Sequence, residues 1–269
     1  RLHAARLSPA LGAFYSRAFD SRHVDEHRGQ SVAKVLVVAA HPDDETMGCG
    51  GTIANELDSV HVLIFTDGGT GIRGAPQSRC WRSGDQIQEE ADGLYGSPGW
   101  RNAHKACSIL GVETIKVLDF PDTRFETRPI LDFAHQVEDA LHRLKPEIVY
   151  THHGGDLNMD HRWVHQAVVA ACRPKPGSPV KQVLFFETPS STEWAQGAFQ
   201  PFIPAVFQPL RPSDWNRKEE ALLSAYGMEM RAVGHPRSLE AIKALAVWRG
   251  AACGAPMAEA FMAGRITRP

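Results

Sequence analysis

His41, Asp43, Asp44 and Glu45 place one imidazole beside three consecutive carboxylates, at the end of the apolar run that starts at Val35. Adjacent acids repel one another, and burial adds a desolvation cost. A positive partner or open water has to offset both. His41 and Asp44 are three residues apart on a sharp strand-to-helix turn, so their side chains can converge. Imidazole nitrogen and carboxylate oxygen are donors that zinc accepts, and a catalytic site uses three such ligands with a fourth position left to water. Neighbouring residues on a turn diverge. With Asp44 as a ligand, Asp43 can lie beside the attacking water as a general base, while Glu45 orients a ligand or caps the next helix.

A third donor is expected from "DHRWVH", where Asp160 and His161 open a helix with Val164, Val168 and Ala171 on its apolar side. His161 and His165 share the inward face through their i, i+4 spacing, and His161 is nearer the strand edge. Taken alone, His165 reads as a satisfied helix histidine. A zincin-type reading of the same pair needs Glu after the first His, and Arg162 stands there. Glycines 48, 50 and 51 follow the acids without a GxGxxG or Walker lysine, so a nucleotide- or phosphosugar-binding module without hydrolysis is the weaker alternative.

These residues need a frame that brings distant segments to one edge. Strands are expected at Lys34–Ala40, His61–Thr66, Thr114–Asp119, Glu147–His152 and Gln182–Glu187. Helices are expected at Gly50–Leu57, Trp100–Leu110, Ile130–Leu144 and His161–Cys172. Such alternation predicts an α/β fold, a Rossmann-like and mostly parallel sheet with helices on both faces. The expected domain covers residues 32–269, after an N-terminal extension at 1–31. Ligands of such sheets bind beyond the carboxyl ends of the strands, where four polar clusters fall: His41–Glu45, Thr66–Gly69, "DFPDTRFE" and "THHGGDLNMDH". Beyond Glu187 the sequence turns rich in Pro and aromatics. This predicts a loop-rich wall with a β segment, closed by two helices capped by Ser213 and Ser238.

The 269 residues, 43% of them hydrophobic, suffice for one large domain. A net charge of −2 without a basic block argues against nucleic acid, and no apolar run approaches the roughly 20 residues of a membrane span. The five cysteines include no CxxC pair, which argues against a Cys-type zinc site and for a reducing, cytoplasmic setting. An assembly of identical chains stays open.

"AAHPDDETMGCGG" resembles the opening motif of the PIG-L/LmbE-like family of zinc-dependent N-deacetylases, and "FTDG", "LGV", "FPD" and a late "DH" follow in the family's order. "ETPSSTEW" and "HPRS" resemble features of a bacterial subgroup of sugar deacetylases. The resemblance implies hydrolysis of an N-acetylated sugar or sugar conjugate with one zinc ion per chain. It makes His41, Asp44 and His161 the metal ligands and Asp43 the base, and it places Arg101 near a substrate-contacting arginine. Asp67, Arg73, Arg79 and Arg82 are expected at the rim, and Trp81 and Trp194 could stack on a sugar. One departure stands out. Many relatives read His-Pro-Asp-His at the late motif, whereas this chain has Asn158 in place of the first histidine. Asparagine can donate to an oxyanion but cannot deliver a proton. The acid role then falls to His165, His152 or His153, or returns to Asp43; otherwise the chain is a zinc-binding member with impaired catalysis.

Overall fold

The computed structural model describes residues 34–55, 59–68, 97–195, 197 and 199–267, together with the backbone of residues 82–83. The N-terminal extension at 1–31 and the side chains of Arg73, Arg79, Trp81 and Arg82 lie outside the described residues.

Among the described residues, eight strands form one sheet in the order β3-β4-β2-β1-β5-β6-β8-β7. They are β1 (Lys34–Ala39), β2 (Ser59–Ile64), β3 (Arg82–Ser83), β4 (Thr114–Val117), β5 (Ile148–His152), β6 (Gln182–Phe186), β7 (Val206–Pro209) and β8 (Ala258–Ile266). The central strands β4, β2, β1, β5 and β6 run parallel, while β3, β8 and β7 pair antiparallel with their neighbours. The chain leaves β1 toward β2 and β4 on one side, then returns to β5 and β6 on the other. That reversal opens a crevice at the carboxyl ends of β1 and β5, the usual ligand position in such sheets.

Strand periodicity sorts the core. Val35, Val37 and Ala39 pack on one face against α1 (Asp44–Ile53), α2 (Pro98–Leu110) and α5 (Pro212–Ser224), through Cys49, Ile53, Ala103, Cys107 and Ala221. Leu36, Val38 and Ala40 pack on the other against α3 (Ile130–Leu144) and α4 (Met159–Ala171), through Phe133, Val137, Val164 and Val168. The last helix, α6 (Leu239–Cys253), places Ile242 and Ala246 beside Met47, Trp215 and Leu222. No helix among the described residues is long and apolar enough to cross a membrane.

Three local expectations need correction. The helix expected at Gly50–Leu57 starts instead at Asp44. Its glycines are not breakers: a Cβ on Gly48 would collide with the Phe186 ring, and one on Gly51 with Leu210. The helix kinks at Cys49 (φ −148°, ψ 25°), and past the kink the Glu259 carboxylate accepts from Gly51 N at 2.9 Å and Thr52 N at 2.7 Å. The cap of α5 is Arg211 with Pro212 at the first helical position, so Ser213 is already inside the helix, whereas Ser238 caps α6 as expected. The two helices do not close the chain, because β8 follows and inserts between β6 and β7.

Glu259 of β8 is buried and paired with buried Lys218 of α5 at 2.6 Å; Lys218 also donates to Met47 O at 2.9 Å. Removing one partner of such a pair strands the other charge. Lys218→Met is therefore expected to cost about 3–5 kcal/mol of stability, read as a lowered denaturation midpoint. A midpoint equal to that of the unaltered protein would contradict this reading.

Candidate metal centre

β1 ends at Ala39, and His41 and Pro42 turn the chain into α1. Asp43 caps α1 from a left-handed backbone (φ 107°) that non-glycine residues rarely adopt. Its carbonyl accepts from Thr46 N at 3.1 Å and Met47 N at 2.8 Å, and its own amide donates to Glu45 Oε2 at 3.1 Å. Glu45 Oε1 in turn accepts from Thr46 Oγ1 and from Tyr226 Oη, at 2.7 and 2.8 Å. The strained residue is thus fixed from both sides.

Asp44 is buried at the centre of the cluster. Its Oδ2 lies 3.2 Å from His41 Nδ1 and 3.3 Å from His161 Nε2, and it accepts from the His41 amide at 2.9 Å. Its Oδ1 is buried without a hydrogen-bond partner. The three donors of His41, Asp44 and His161 lie within 4.8 Å of one another. Tetrahedral ligands about 2.0–2.1 Å from zinc sit roughly 3.3–3.4 Å apart, close to the two measured separations. The residues present therefore fit a divalent ion, and the partnerless Oδ1 is a buried acceptor of the kind that needs a cation.

The outer nitrogens strengthen the fit. His41 Nε2 lies 3.1 Å from Asp160 Oδ2 and 3.4 Å from Asp122 Oδ1. His161 Nδ1 lies 3.2 Å from Asp156 Oδ1. The hydrogen bond to Asp160 fixes the tautomer of His41 and turns its other nitrogen inward, whereas Asp156 approaches His161 Nδ1 as a counter-charge without hydrogen-bond geometry. These acids are held in turn: Asp160 accepts from Thr123 N and Phe125 N, and Asp156 from Ser191 Oγ and Thr192 Oγ1.

Charge follows geometry. Burial opposes ionisation of His41, yet Asp160 and Asp44 push its pKa up to about 10; His161, likewise buried, is raised to about 9 by Asp44 and Asp156. Asp44 is held well below the carboxylate range despite its burial, chiefly by His161 and His152. Asp43 goes the other way, raised to about 8 by burial and the adjacent Asp44, against the pull of Arg237. Two adjacent aspartates are thus driven apart by their surroundings.

Of the other anticipated residues, His152 lies against the cluster, its Nε2 3.5 Å from Asp44 Oδ2, and the rest make their described contacts elsewhere. His152 Nε2 accepts from Ala40 N at 2.9 Å, and its ring stacks on His161 with centroids 3.9 Å apart. His153 Nε2 donates to Gln200 O at 2.7 Å. His165 Nδ1 donates to the His152 carbonyl at 2.9 Å, and its ring packs on Phe185. None of the described contacts of His165 reaches His41, Asp43, Asp44 or His161. Asn158 is the N-cap of α4, its Oδ1 accepting from Asp160 N at 2.9 Å. Asp67 ends the β2 edge, where its carbonyl accepts from Ser97 Oγ, the cap of the helix that carries half-buried Arg101. Trp194 is exposed beside His235.

Sequence reasoning assigned no role to Asp122, Asp156 or Arg237. Arg237 Nη1 donates to Asp43 Oδ2 at 2.7 Å from 194 residues away. The signals in the sequence are "FPD" for Asp122, the strand-end cluster "THHGGDLNMDH" for Asp156 and "HPRS" for Arg237.

Comparison with known proteins gives a consistent picture. Residues 36–172 match the PIG-L family, described as GlcNAc-PI de-N-acetylase. "Uncharacterized deacetylase YaiS" of Escherichia coli K12 is 32% identical over 196 residues, covering 70% of this chain and 88% of its own. The diacetylchitobiose deacetylase of Thermococcus kodakarensis is 32% identical over 122 residues, covering 44% of this chain and 40% of its own. The crystal structure of a conserved protein from Thermus thermophilus, TT1542, superposes with a TM-score of 0.63 at 26% identity, covering 88% of this chain and 97% of its own.

Asp160→Asn should weaken zinc binding about 10–100-fold, the usual effect of losing a carboxylate behind a ligating histidine. Competition against a chelating dye measures this, and unchanged affinity would refute the role given to Asp160.

Proposed function

The chain belongs to the PIG-L family, and on that premise we propose that it is a zinc-dependent N-deacetylase that hydrolyses the N-acetyl group of an amino sugar or sugar conjugate to acetate and free amine. One observation carries the metal reading: the buried Asp44 carboxylate, with one oxygen partnerless, meets two imidazoles that are each backed by a second carboxylate. The sugar reading rests on the family's description and on the activity named for the chitobiose relative.

His41, Asp44 and His161 would hold the ion. A bound zinc ion supplies Lewis-acid polarisation of the acyl oxygen and makes water a stronger nucleophile near neutral pH. Asp43, next to a ligand in sequence, takes the proton of the attacking water. The same carboxyl then returns that proton to the departing amine. This assignment suits the geometry better than a histidine acid. His153 and His165 each spend a ring nitrogen on a backbone carbonyl, and His152 Nε2 is taken by the Ala40 amide. Asn158 uses its Oδ1 as a helix cap, which leaves its amide hydrogens to donate to the developing oxyanion, a contact of order 3 kcal/mol when well placed. Asp67 and Arg101, tied together by Ser97, would contact sugar hydroxyls or an anionic substituent, with Trp194 available to stack on a ring face.

Zinc-loaded protein incubated with N,N'-diacetylchitobiose and a panel of N-acetylglucosaminides should release acetate. Asp43→Asn should retain one zinc per chain while kcat falls roughly 10²-fold or more. Zinc-loaded Asp43→Asn protein turning over at the normal rate would exclude Asp43 as the base, and loss of zinc would exchange the roles of Asp43 and Asp44.

A further inference from the structure

We propose that Arg237 is the positioning residue for Asp43: it pins one carboxylate oxygen, so that the other faces the attacking water and neither becomes a metal ligand. The inference rests on the reading of Asp43 as the base.

Asp43, Asp44 and Glu45 are three consecutive buried acids, and each has its own partners. The imidazoles meet one oxygen of Asp44, Oδ2, and Tyr226 and Thr46 donate to Glu45 Oε1. The Asp43 backbone is fixed by the helix start and by Glu45 Oε2. What stays free is rotation of its side chain. A carboxylate one residue from a metal ligand can swing toward a cation, and a second carboxylate ligand would occupy the position that water needs. Arg237 Nη1 removes that freedom through a charge-assisted bond of 2.7 Å to Oδ2.

The guanidinium is itself held. Its Nε donates to Ser190 Oγ at 2.7 Å, and Ser190 stands in a left-handed conformation (φ 68°) with its amide on Glu193 Oε1. The Arg237 amide donates to His235 Nδ1 at 3.0 Å, and the next residue, Ser238, caps α6 through Ala241 N at 3.1 Å. Arg237 thus extends from the start of a helix, braced by the loop after β6, onto Asp43. Its side chain is 21% exposed, so packing is not its main task. Arginine also stays charged at any working pH, and its fork fixes direction in a way that a lysine ammonium does not.

The test is a double-mutant cycle on zinc-loaded protein, with acetate release from N,N'-diacetylchitobiose as the assay. Arg237→Gln should lower kcat about 10–100-fold, within the range of the base's own contribution, with KM changed less than about twofold. Arg237→Lys should recover part of the loss. In the Asp43→Asn background the Arg237→Gln change should cost less than about twofold, because a residue acting through another has nothing left to act on. A raised KM, or an equal loss in both backgrounds, would assign Arg237 to substrate contact and overturn the proposal. Normal kcat in Asp43→Asn alone would instead sink the base reading. Crystal structures of zinc-loaded wild type and Arg237→Gln provide a readout that needs no turnover. His41, Asp44 and His161 should superpose while the Asp43 carboxylate leaves its position. An unmoved Asp43 carboxylate in the variant would overturn the proposal whatever the kinetics.

Discussion

Asp44 sits buried in the crevice where the sheet reverses direction, and a negative charge there must be met by positive charge at close range. Its neighbours alternate in sign outward: Asp160 behind His41, then Asp44, then His161 with Asp156 behind it. Each member is fixed by a different part of the chain. Asp160 is held by backbone amides of the segment after β4, and Asp156 by hydroxyls of the segment after β6. The crevice at β1 and β5 is thereby stitched to the ends of the strands on either side. A cation placed among the inner donors completes the alternation; without one, the same carboxylates favour protonated imidazoles and raise the pKa values of His41 and His161.

The helix that carries Asp44 has to approach the sheet closely enough for this contact. Gly48 and Gly51 permit it, since Phe186 and Leu210 occupy the space that side chains would need. The same glycines weaken the helix, which kinks at Cys49. The exposed amides after the kink are met by Glu259, whose charge is balanced by Lys218. The C-terminal strand and helices are therefore part of the cluster's support, although none of His41, Asp44 and His161 lies on them.

Much of this was legible in the sequence because the signals were local. The continuous apolar run Val35–Ala40, the acids that follow it and the His161 segment each announce themselves, and the parallel-sheet rule then brings them to one edge. Other features were hidden for definite physical reasons. Glycine lowers helix propensity, so a helix starting at Asp44 read as a turn; its justification is tertiary contact with Phe186 and Leu210. β8 contains Ala and Gly at positions where strands usually show branched residues, and it owes its place to pairing with β6 and β7. The contacts of Asp122 and Asp160 with His41 and of Arg237 with Asp43 span up to 194 residues, which no local spacing encodes, and Asp156, five residues before His161, is held by Ser191 and Thr192 from 35 and 36 residues on. The sequence expects Asp67 after a strand and Arg101 early in a helix, and both have those positions in the chain.

The deepest consequence of that long-range wiring is the separation of two identical side chains. Asp43 and Asp44 are neighbours in sequence, share burial and repel each other, yet the pKa of one is pushed up and that of the other held down. Backbone geometry accompanies the separation, since Asp43 has a positive φ of 107° whereas Asp44 begins the helix. The choice of counter-charge finishes it. Asp44 faces imidazoles, whose protons a metal ion can displace to make all three groups ligands. Asp43 faces a guanidinium, which does not give up its proton and cannot bind a metal. On the roles proposed above, the carboxylate paired with imidazole is the one recruited as a ligand, whereas the one paired with arginine is kept out of the coordination sphere and handles protons. Neither role is written in the aspartate itself; each is assigned by the base that the fold brings to it.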